Sequence, residues 1–332
     1  MGREAEAERR EELVRDFSSP IPLAQRSPLP SADGAYTFSM PTTRRDAAMA
    51  LRPLPEPLAL QAHLHSLAHR GYTILPAVIQ PPLLAQLRER FDALIGRAQR
   101  GECASGGSDA AGIVEVARVY EEEPAFEALM ALPPVLALAQ AALGVEPRLH
   151  GGPYAHYVPP RTGSDMAWHR DGDPEHGGWL RLTYTLDDLE PGGGGTSLMP
   201  GSHRWEPTQP VPEWANDAAT GAACELPGRD EFCAPAGSCM VSWTLLWHAR
   251  PPNLSERARR VFWQLYRRPE QPTWHSAQHL LSQEYFAAQA AVASDERKLL
   301  LVRHRPPFPQ PALALACTLK GRVCVVGAGD RA

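Results

Sequence analysis

The chain has 332 residues, and its composition is that of a globular, loop-rich protein. Hydrophobic residues make up 43 %, charged residues 21 %, and the 34 prolines exceed the usual share of about 5 %, which excludes collagen, coiled coil and wholesale disorder. The formal net charge of -5 provides no basic field that would attract nucleic acid or an anionic membrane. We therefore expect a small-molecule substrate as the partner, with no nucleic acid and no membrane.

Cysteine usage and the chain start indicate a cytoplasmic protein. The six cysteines form no CxxC pair and no regular framework, which is typical of reduced thiols. The first fifteen residues carry nine charged side chains, where a secretory signal would need an apolar stretch. The most apolar run, near 135–145, is shorter than the ~20 residues of a membrane span.

The predicted elements divide the chain into a helical first part and a β-rich second part. Residues 1–52, charged and then rich in Pro and Ser, have no sustained apolar period and are predicted to be a flexible or surface-wrapping extension. Apolar spacing, prolines at helix starts and a stop at Gly71 then predict helices over 58–69, 82–97, 124–131 and 133–143, with a strand over 72–75.

From residue 148 onward, short stretches rich in Thr, Tyr, Trp and Val alternate with Gly and Pro clusters. This texture predicts antiparallel strands joined by long connections. The fold class is therefore an all-β core with flanking helices, α+β in overall content. The last residues, 299–332, are predicted to be a C-terminal extension that closes over a pocket or mediates a homodimer.

Two separated segments carry the residues that point to chemistry. In the segment WHRDG at 168–172, His169 and Asp171 stand two apart and project to the same face of an extended strand. The segment CMVSWTLLWH is predicted to be a buried strand that ends at His248. The pair Pro251-Pro252, which cannot continue a strand, follows shortly after. Two histidines and one carboxylate form the facial triad of non-haem Fe(II) oxygenases, although a zinc hydrolase could use the same ligands.

A nearby arginine favours the oxygenase interpretation. After a turn the chain returns as an alternating run that can pair antiparallel with the His248 strand. Guanidinium groups bind carboxylates through two parallel hydrogen bonds, so Arg259 could hold the far carboxylate of 2-oxoglutarate. Arg257 and Arg260 compete for this role, but Arg257 is still in the turn and Arg260 has the opposite strand parity.

Several motifs agree in order and spacing with one known family. They are WHRDG at 168–172, RLTYTLDD at 181–188, GGGGTSLMPGSHRW at 192–205 and AGSCMVSWTLLWHARPPNLSERARR at 236–260. On these motifs the chain resembles the phytanoyl-CoA dioxygenase family of Fe(II)/2-oxoglutarate oxygenases, from about residue 58 to 267. The resemblance implies a double-stranded β-helix, a jelly-roll barrel with helices packed on one sheet, over a domain of 53–298.

The resemblance also implies roles for individual residues. His169, Asp171 and His248 would be the metal ligands, Arg259 the 2-oxoglutarate anchor, and Thr196 a second cosubstrate contact, unless its hydroxyl closes the preceding turn. The four glycines of 192–195 stand where the family commonly has Asn-Gly, so a looser turn is expected there. His203 and His176 lack the strand placement of ligands, and the connection 206–235 is expected to act as a lid.

The function that the resemblance implies is an Fe(II)- and 2-oxoglutarate-dependent dioxygenase with O2 as cosubstrate. Hydroxylation of an unactivated C–H bond of a small metabolite, with release of succinate and CO2, is the expected reaction because Asp171 retains a carboxylate ligand. Desaturation or ring formation on the same iron remains open. Two competing functions are a Zn- or Mn-dependent hydrolase or isomerase on the same barrel, and a catalytically silent barrel that acts as a binding module.

Overall fold

The computed structural model describes residues 57–163, 168–171, 178–206, 208–210, 228–271, 280–301, 317–319 and 322–324. The chain divides into two units, Met1–Arg52 and Pro53–Ala332, and all of the described residues belong to the second unit. The predicted N-terminal extension, His176 and most of the predicted lid segment lie outside the described residues.

The described helices are α1 (Pro57–His69), α2 (Pro81–Gln99), α3 (Val119–Glu122), α4 (Pro133–Leu143), α5 (Gln283–Val292) and α6 (Asp295–Leu301). Three of them, α1, α2 and α4, begin and end close to the predicted positions, whereas α3, α5 and α6 were not predicted. The segment predicted as a helix over 124–131 is instead a 3-10 helix, Pro124–Leu129. Pro133 disfavours helical backbone at the residue before it, and Leu132 is accordingly extended, which keeps this segment short. Within the described residues, no helix is long and apolar enough to cross a membrane.

The strands form one large and one small antiparallel sheet. In chain order they are β1 (Tyr72–Leu75), β2 (Gly106–Ser108), β3 (Val114–Val116), β4 (Arg148–Val158), β5 (Leu180–Thr185), β6 (Ser197–Leu198), β7 (Asp230–Glu231), β8 (Cys239–Trp243), β9 (His248–Ala249) and β10 (Arg259–Arg267). The large sheet has the order β1-β8-β5-β10-β4-β3-β2 and the small sheet the order β7-β6-β9. A separate pair consists of β11 (Cys317–Leu319) and β12 (Arg322–Cys324).

The large sheet has an outer face covered by helices and an inner face that carries polar residues. On β5, Leu180, Leu182 and Tyr184 belong to the main hydrophobic core, together with Leu87 and Phe91 of α2. Side chains alternate along a strand, so the intervening residues of β5, among them Arg181, point to the opposite face. Helices therefore pack on one sheet, as predicted, and the inner face is available for a site.

The end of the glycine run at 192–195 is packed tightly at Gly194 and Gly195, so the expectation of a looser turn is wrong there. A Cβ atom at position 195 would lie 2.2 Å from the backbone oxygen of Phe232, and one at position 194 would lie 3.1 Å from Cβ of Asn253. Gly194 also has φ of +78°, a left-handed conformation that favours glycine. The lack of side chains at Gly194 and Gly195 allows this loop to pack against its neighbours, and the Gly194 carbonyl accepts a hydrogen bond from Arg259.

Candidate active site

The two histidine-bearing segments are joined by backbone hydrogen bonds. The N–H of His169 donates to the carbonyl of His248 at 2.9 Å, and the N–H of His248 donates back at 3.0 Å. Two residues further on, the N–H of Asp171 donates to the carbonyl of Thr244 at 3.0 Å. This short antiparallel pairing holds the 168–171 segment beside β9, which brings all three predicted ligands to one place.

The three side chains present their ligand atoms with the spacing of a metal site. Nε2 of His169 lies 3.4 Å from Oδ1 of Asp171, and Nε2 of His248 lies 3.2 Å from Oδ2. One ligand atom from each residue can be chosen so that all lie within 4.8 Å of one another. Adjacent ligands of an octahedral ion with bonds of about 2.1 Å are separated by roughly 3 Å, so the two separations from Asp171 are close to those of neighbouring ligands on one ion.

Protonation of the site favours metal binding. Nδ1 of His248 lies 2.9 Å from the carbonyl oxygen of Leu246, which can only accept, so Nδ1 carries the proton and Nε2 has a free lone pair. Burial lowers the pKa of His248, against the opposing effect of the Asp171 charge, so the ring is neutral. Burial alone would raise the pKa of Asp171, but the Arg181 charge together with the contacts from His248 and His169 outweighs it and holds that pKa well below its usual value.

The residues present fit a ferrous ion. Oδ2 of Asp171 is buried and makes no hydrogen bond of good geometry to any described residue, although the Arg181 guanidinium forms an ion pair with it. Two imidazoles and one carboxylate are ligands that non-haem iron uses, with the opposite face open. In the part of the chain that the structure describes, His169, Asp171 and His248 are the one group of His, Cys, Asp and Glu with this spacing.

Arg259, the predicted cosubstrate anchor, is a buried cation that forms no ion pair with any described acidic residue. It is 4 % exposed, donates to the carbonyl of Gly194 and lies 3.1 Å from Nδ1 of His156 through its second terminal nitrogen. Burial lowers the pKa of Arg259 to about 10. Among the described carboxylates none lies within 4.0 Å of the guanidinium. A ligand carboxylate would therefore compensate a buried positive charge.

The imidazole of His156 supports Arg259 as a neutral hydrogen-bond acceptor. Burial, together with the positive charges of Arg259 and Arg250, holds the pKa of His156 well below its usual value. Its Nε2 lies 3.5 Å from Oε1 of Glu115 and 3.4 Å from Arg250. A neutral ring can accept from Arg259 at Nδ1 while its Nε2–H faces the Glu115 carboxylate.

The two competing arginines lie elsewhere. Arg260 faces the outer side of β10, where it pairs with Asp187 at 2.6 Å and Asp92 at 2.8 Å. Arg257 pairs with Glu190 at 3.0 Å, with more than half of its side chain exposed. Strand parity therefore separates Arg259 from Arg260, and Arg257 lies before β10 begins.

The remaining predicted residues make fewer contacts. Thr196 is partly buried, and its carbonyl accepts from the N–H of Phe232 at 2.9 Å. Its hydroxyl makes no hydrogen bond to any described residue, so its contact with the cosubstrate stays a prediction. His203 lies outside the metal-binding group, against Gly71, and burial lowers its pKa to about 4.

Arg181 is a site residue that the sequence motifs did not identify. Its guanidinium forms an ion pair with Oδ2 of Asp171 and lies 2.8 Å from Nε2 of His248. The guanidinium carbon stands 4.6 Å from the ring centroid of Trp263, which in turn stacks on Tyr154. The signal in the sequence was an arginine between two core leucines in a strand, because alternation places it on the inner face.

Comparison with solved structures places the fold among known enzymes. The epimerase SnoN in complex with Fe3+, alpha ketoglutarate and nogalamycin RO is 20 % identical, with TM-score 0.53, covering 69 % of this chain and 92 % of that chain. AviO1 from Streptomyces viridochromogenes Tue57 is 20 % identical, with TM-score 0.52 and coverage of 64 % and 96 %. HygX from Streptomyces hygroscopicus, with nickel, 2-oxoglutarate and hygromycin B bound, is 14 % identical, with TM-score 0.52 and coverage of 66 % and 93 %.

These similarities are similarities of fold, and they confirm the predicted jelly-roll architecture. A comparison with curated protein sequences found no match. The family model described as Phytanoyl-CoA dioxygenase (PhyH) matches residues 67–261, which is more than half of the chain and includes both histidine-bearing segments. The chain belongs to the phytanoyl-CoA dioxygenase family.

Proposed function

We propose that this protein is an Fe(II)- and 2-oxoglutarate-dependent dioxygenase that hydroxylates an unactivated C–H bond of a small-molecule metabolite. The observation that carries the proposal is the meeting of His169, Asp171 and His248, with their ligand atoms spaced for one metal ion. Membership of the phytanoyl-CoA dioxygenase family supports it. So do solved structures of similar fold that contain iron or nickel together with 2-oxoglutarate or alpha ketoglutarate.

In this proposal the chain supplies ligands, charge and orientation. His169, Asp171 and His248 hold the metal by one face, with the His248 tautomer set by the Leu246 carbonyl. Arg259 binds the far carboxylate of 2-oxoglutarate, and Thr196 is a second contact to the cosubstrate. When bound, Fe(II) with 2-oxoglutarate and O2 would supply the oxidising power for hydroxylation, with succinate and CO2 as the coproducts.

Arg259 gives the site its preference for a dicarboxylic cosubstrate. A buried guanidinium without an acidic partner binds a carboxylate strongly, since the ion pair is shielded from water and the hydrogen bonds are charge-assisted. A 2-oxo acid without the distal carboxylate would leave the Arg259 charge uncompensated. We therefore expect 2-oxoglutarate to bind more tightly than pyruvate or 2-oxobutyrate.

The experiment that tests the function is an anaerobic titration of the protein with Fe(II) and 2-oxoglutarate. We expect a weak visible metal-to-ligand charge-transfer band in the parent protein and none in Asp171→Ala. Screening candidate metabolites for coupled succinate release then identifies the substrate. A parent protein that shows no band would refute the cosubstrate assignment, and turnover that is independent of 2-oxoglutarate would favour a hydrolase or isomerase on the same barrel.

A further inference from the structure

We propose that Arg181 is an internal competitor of the metal, a cation that occupies the ligand atoms of Asp171 and His248 in the metal-free protein and must withdraw when the metal binds. This inference rests on the proposed function, because it takes the same three residues as the metal ligands. It assigns to an arginine of β5 the role of setting the metal affinity of the site.

The contacts of Arg181 are made to the atoms that a metal would use. One terminal nitrogen lies 2.8 Å from Nε2 of His248, and the other forms the ion pair with Oδ2 of Asp171. The ring proton of His248 is on Nδ1, where it faces the Leu246 carbonyl, so Nε2 has a single lone pair. That lone pair accepts from Arg181 or coordinates a metal, but it cannot do both.

The surroundings of Arg181 explain why it is held in this position. The side chain is 16 % exposed, and its guanidinium carbon lies 4.6 Å above the ring of Trp263, a cation–π contact. Trp263 is itself supported by Tyr154, with ring centroids 4.1 Å apart and an angle of 9° between the rings. Two stacked aromatic rings therefore support the guanidinium.

Arg181 compensates the negative charge of Asp171. The side chain of Asp171 is only 23 % exposed, and an ionised carboxylate at such a site needs a positive partner. Arg181 provides that partner when no metal is present, and a divalent cation replaces it when the metal binds. A contact that exists only in the metal-free state must be broken when the metal binds. The free energy by which it stabilises that state is therefore subtracted from the free energy of metal binding.

The test compares metal affinity and metal-free stability in the parent protein, Arg181→Met and Arg181→Gln. We expect both variants to bind Fe(II), and Mn(II) as a redox-stable probe, roughly tenfold more tightly than the parent in anaerobic calorimetry. We expect the same variants to unfold at lower urea concentration when metal-free. The glutamine variant keeps a hydrogen-bond donor near Asp171, and it carries the test if the methionine variant does not fold.

Arg260→Met is the matched control, because it removes a partly buried guanidinium of the neighbouring strand from its partners Asp187 and Asp92. It should lower stability and leave the metal affinity unchanged. A merely structural or positioning role for Arg181 predicts weaker metal binding in both Arg181 variants, and that result, or unchanged affinity, would overturn the inference.

Failure of the inference is distinguishable from failure of the proposed function. If the parent binds Fe(II) and the Arg181 variants bind no more tightly, the inference is wrong and the function stands. If neither the parent nor any Arg181 variant binds Fe(II) or Mn(II), both are overturned. Tight binding by the variants beside negligible binding by the parent would support the inference strongly.

Discussion

Replacement of Arg259 by methionine should separate ligand binding from stability. The folded protein holds this guanidinium at a pKa of about 10, more than two units below that of an exposed arginine. Each pKa unit corresponds to about 1.4 kcal/mol, so keeping Arg259 charged in this site costs roughly 3 kcal/mol at neutral pH. Because folding lowers the pKa of this base, the free-energy cost of keeping Arg259 charged is fully present below pH 10. It decreases only at higher pH.

Methionine removes that cost but leaves two buried acceptors, the Gly194 carbonyl and Nδ1 of His156, without their donor. An unsatisfied buried polar group costs about 1–3 kcal/mol, so the two effects nearly cancel. We expect the free energy of unfolding of Arg259→Met to lie within about 2 kcal/mol of the parent value in urea titrations.

Binding of 2-oxoglutarate should respond much more strongly. Loss of one partner of a buried, hydrogen-bonded charge pair costs about 2–5 kcal/mol, which is roughly a 30- to 4,000-fold rise in Kd. The assay is the visible charge-transfer band in an anaerobic 2-oxoglutarate titration of the Fe(II)-loaded protein. Arg260→Met serves as the control and should show lower stability with unchanged Kd. Equal losses of 2-oxoglutarate affinity in the two variants would refute the assignment of Arg259.

Three further changes test other parts of the site. Asp171→Asn should lower the Fe(II) affinity, measured by calorimetry, by more than the ~10–100-fold that is typical when a ligand loses a hydrogen-bond partner. Unchanged affinity would exclude Asp171 as a ligand. Gly195→Ala forces a Cβ against the Phe232 carbonyl and should lower the free energy of unfolding by roughly 1–3 kcal/mol or more in urea, whereas an unaffected variant would contradict the tight loop packing. His203 has a pKa lowered from 6.5 to about 4, so the unfolded state binds a proton more readily than the folded state. The free energy of unfolding therefore falls as pH decreases from 6.5 towards 4. His203→Phe should remove at most roughly 3 kcal/mol of that acid destabilisation, and an identical pH profile would contradict it.

Elements with local signals were predicted closely. Helix α4 begins at Pro133 and ends at Leu143, as predicted, because two prolines suit its first turn and Gly144 adopts the left-handed conformation of a helix end. Strand β1, Tyr72–Leu75, also has the predicted bounds, since Gly71 with φ of +86° separates it from the preceding helix. The glycine run at 192–195 was misjudged because its packing partners, Phe232 and Asn253, come from distant parts of the chain.

The metal-binding residues were predictable in type and face, but the contacts that bring them together were not. A spacing of two residues puts His169 and Asp171 on one side of an extended segment, and this rule is purely local. The hydrogen bond from Asp171 to the Thr244 carbonyl joins segments more than seventy residues apart. This bond joins two backbone groups, which are alike at every position, so the identities of Asp171 and Thr244 do not predict the pairing.

Arg181 and Arg259 show that side-chain alternation along a strand predicts the face on which a residue lies but not its partners. The same alternation that separates Arg259 from Arg260 also places Arg181 on the inner face of β5, so parity identifies two buried cations. Parity does not assign their partners, which depend on whether an acidic side chain from another strand or loop reaches the same depth. Asp171 reaches Arg181, and among the described residues no carboxylate reaches Arg259. That difference in partners leads us to expect Arg259 to bind an anionic ligand and Arg181 to oppose a metal cation.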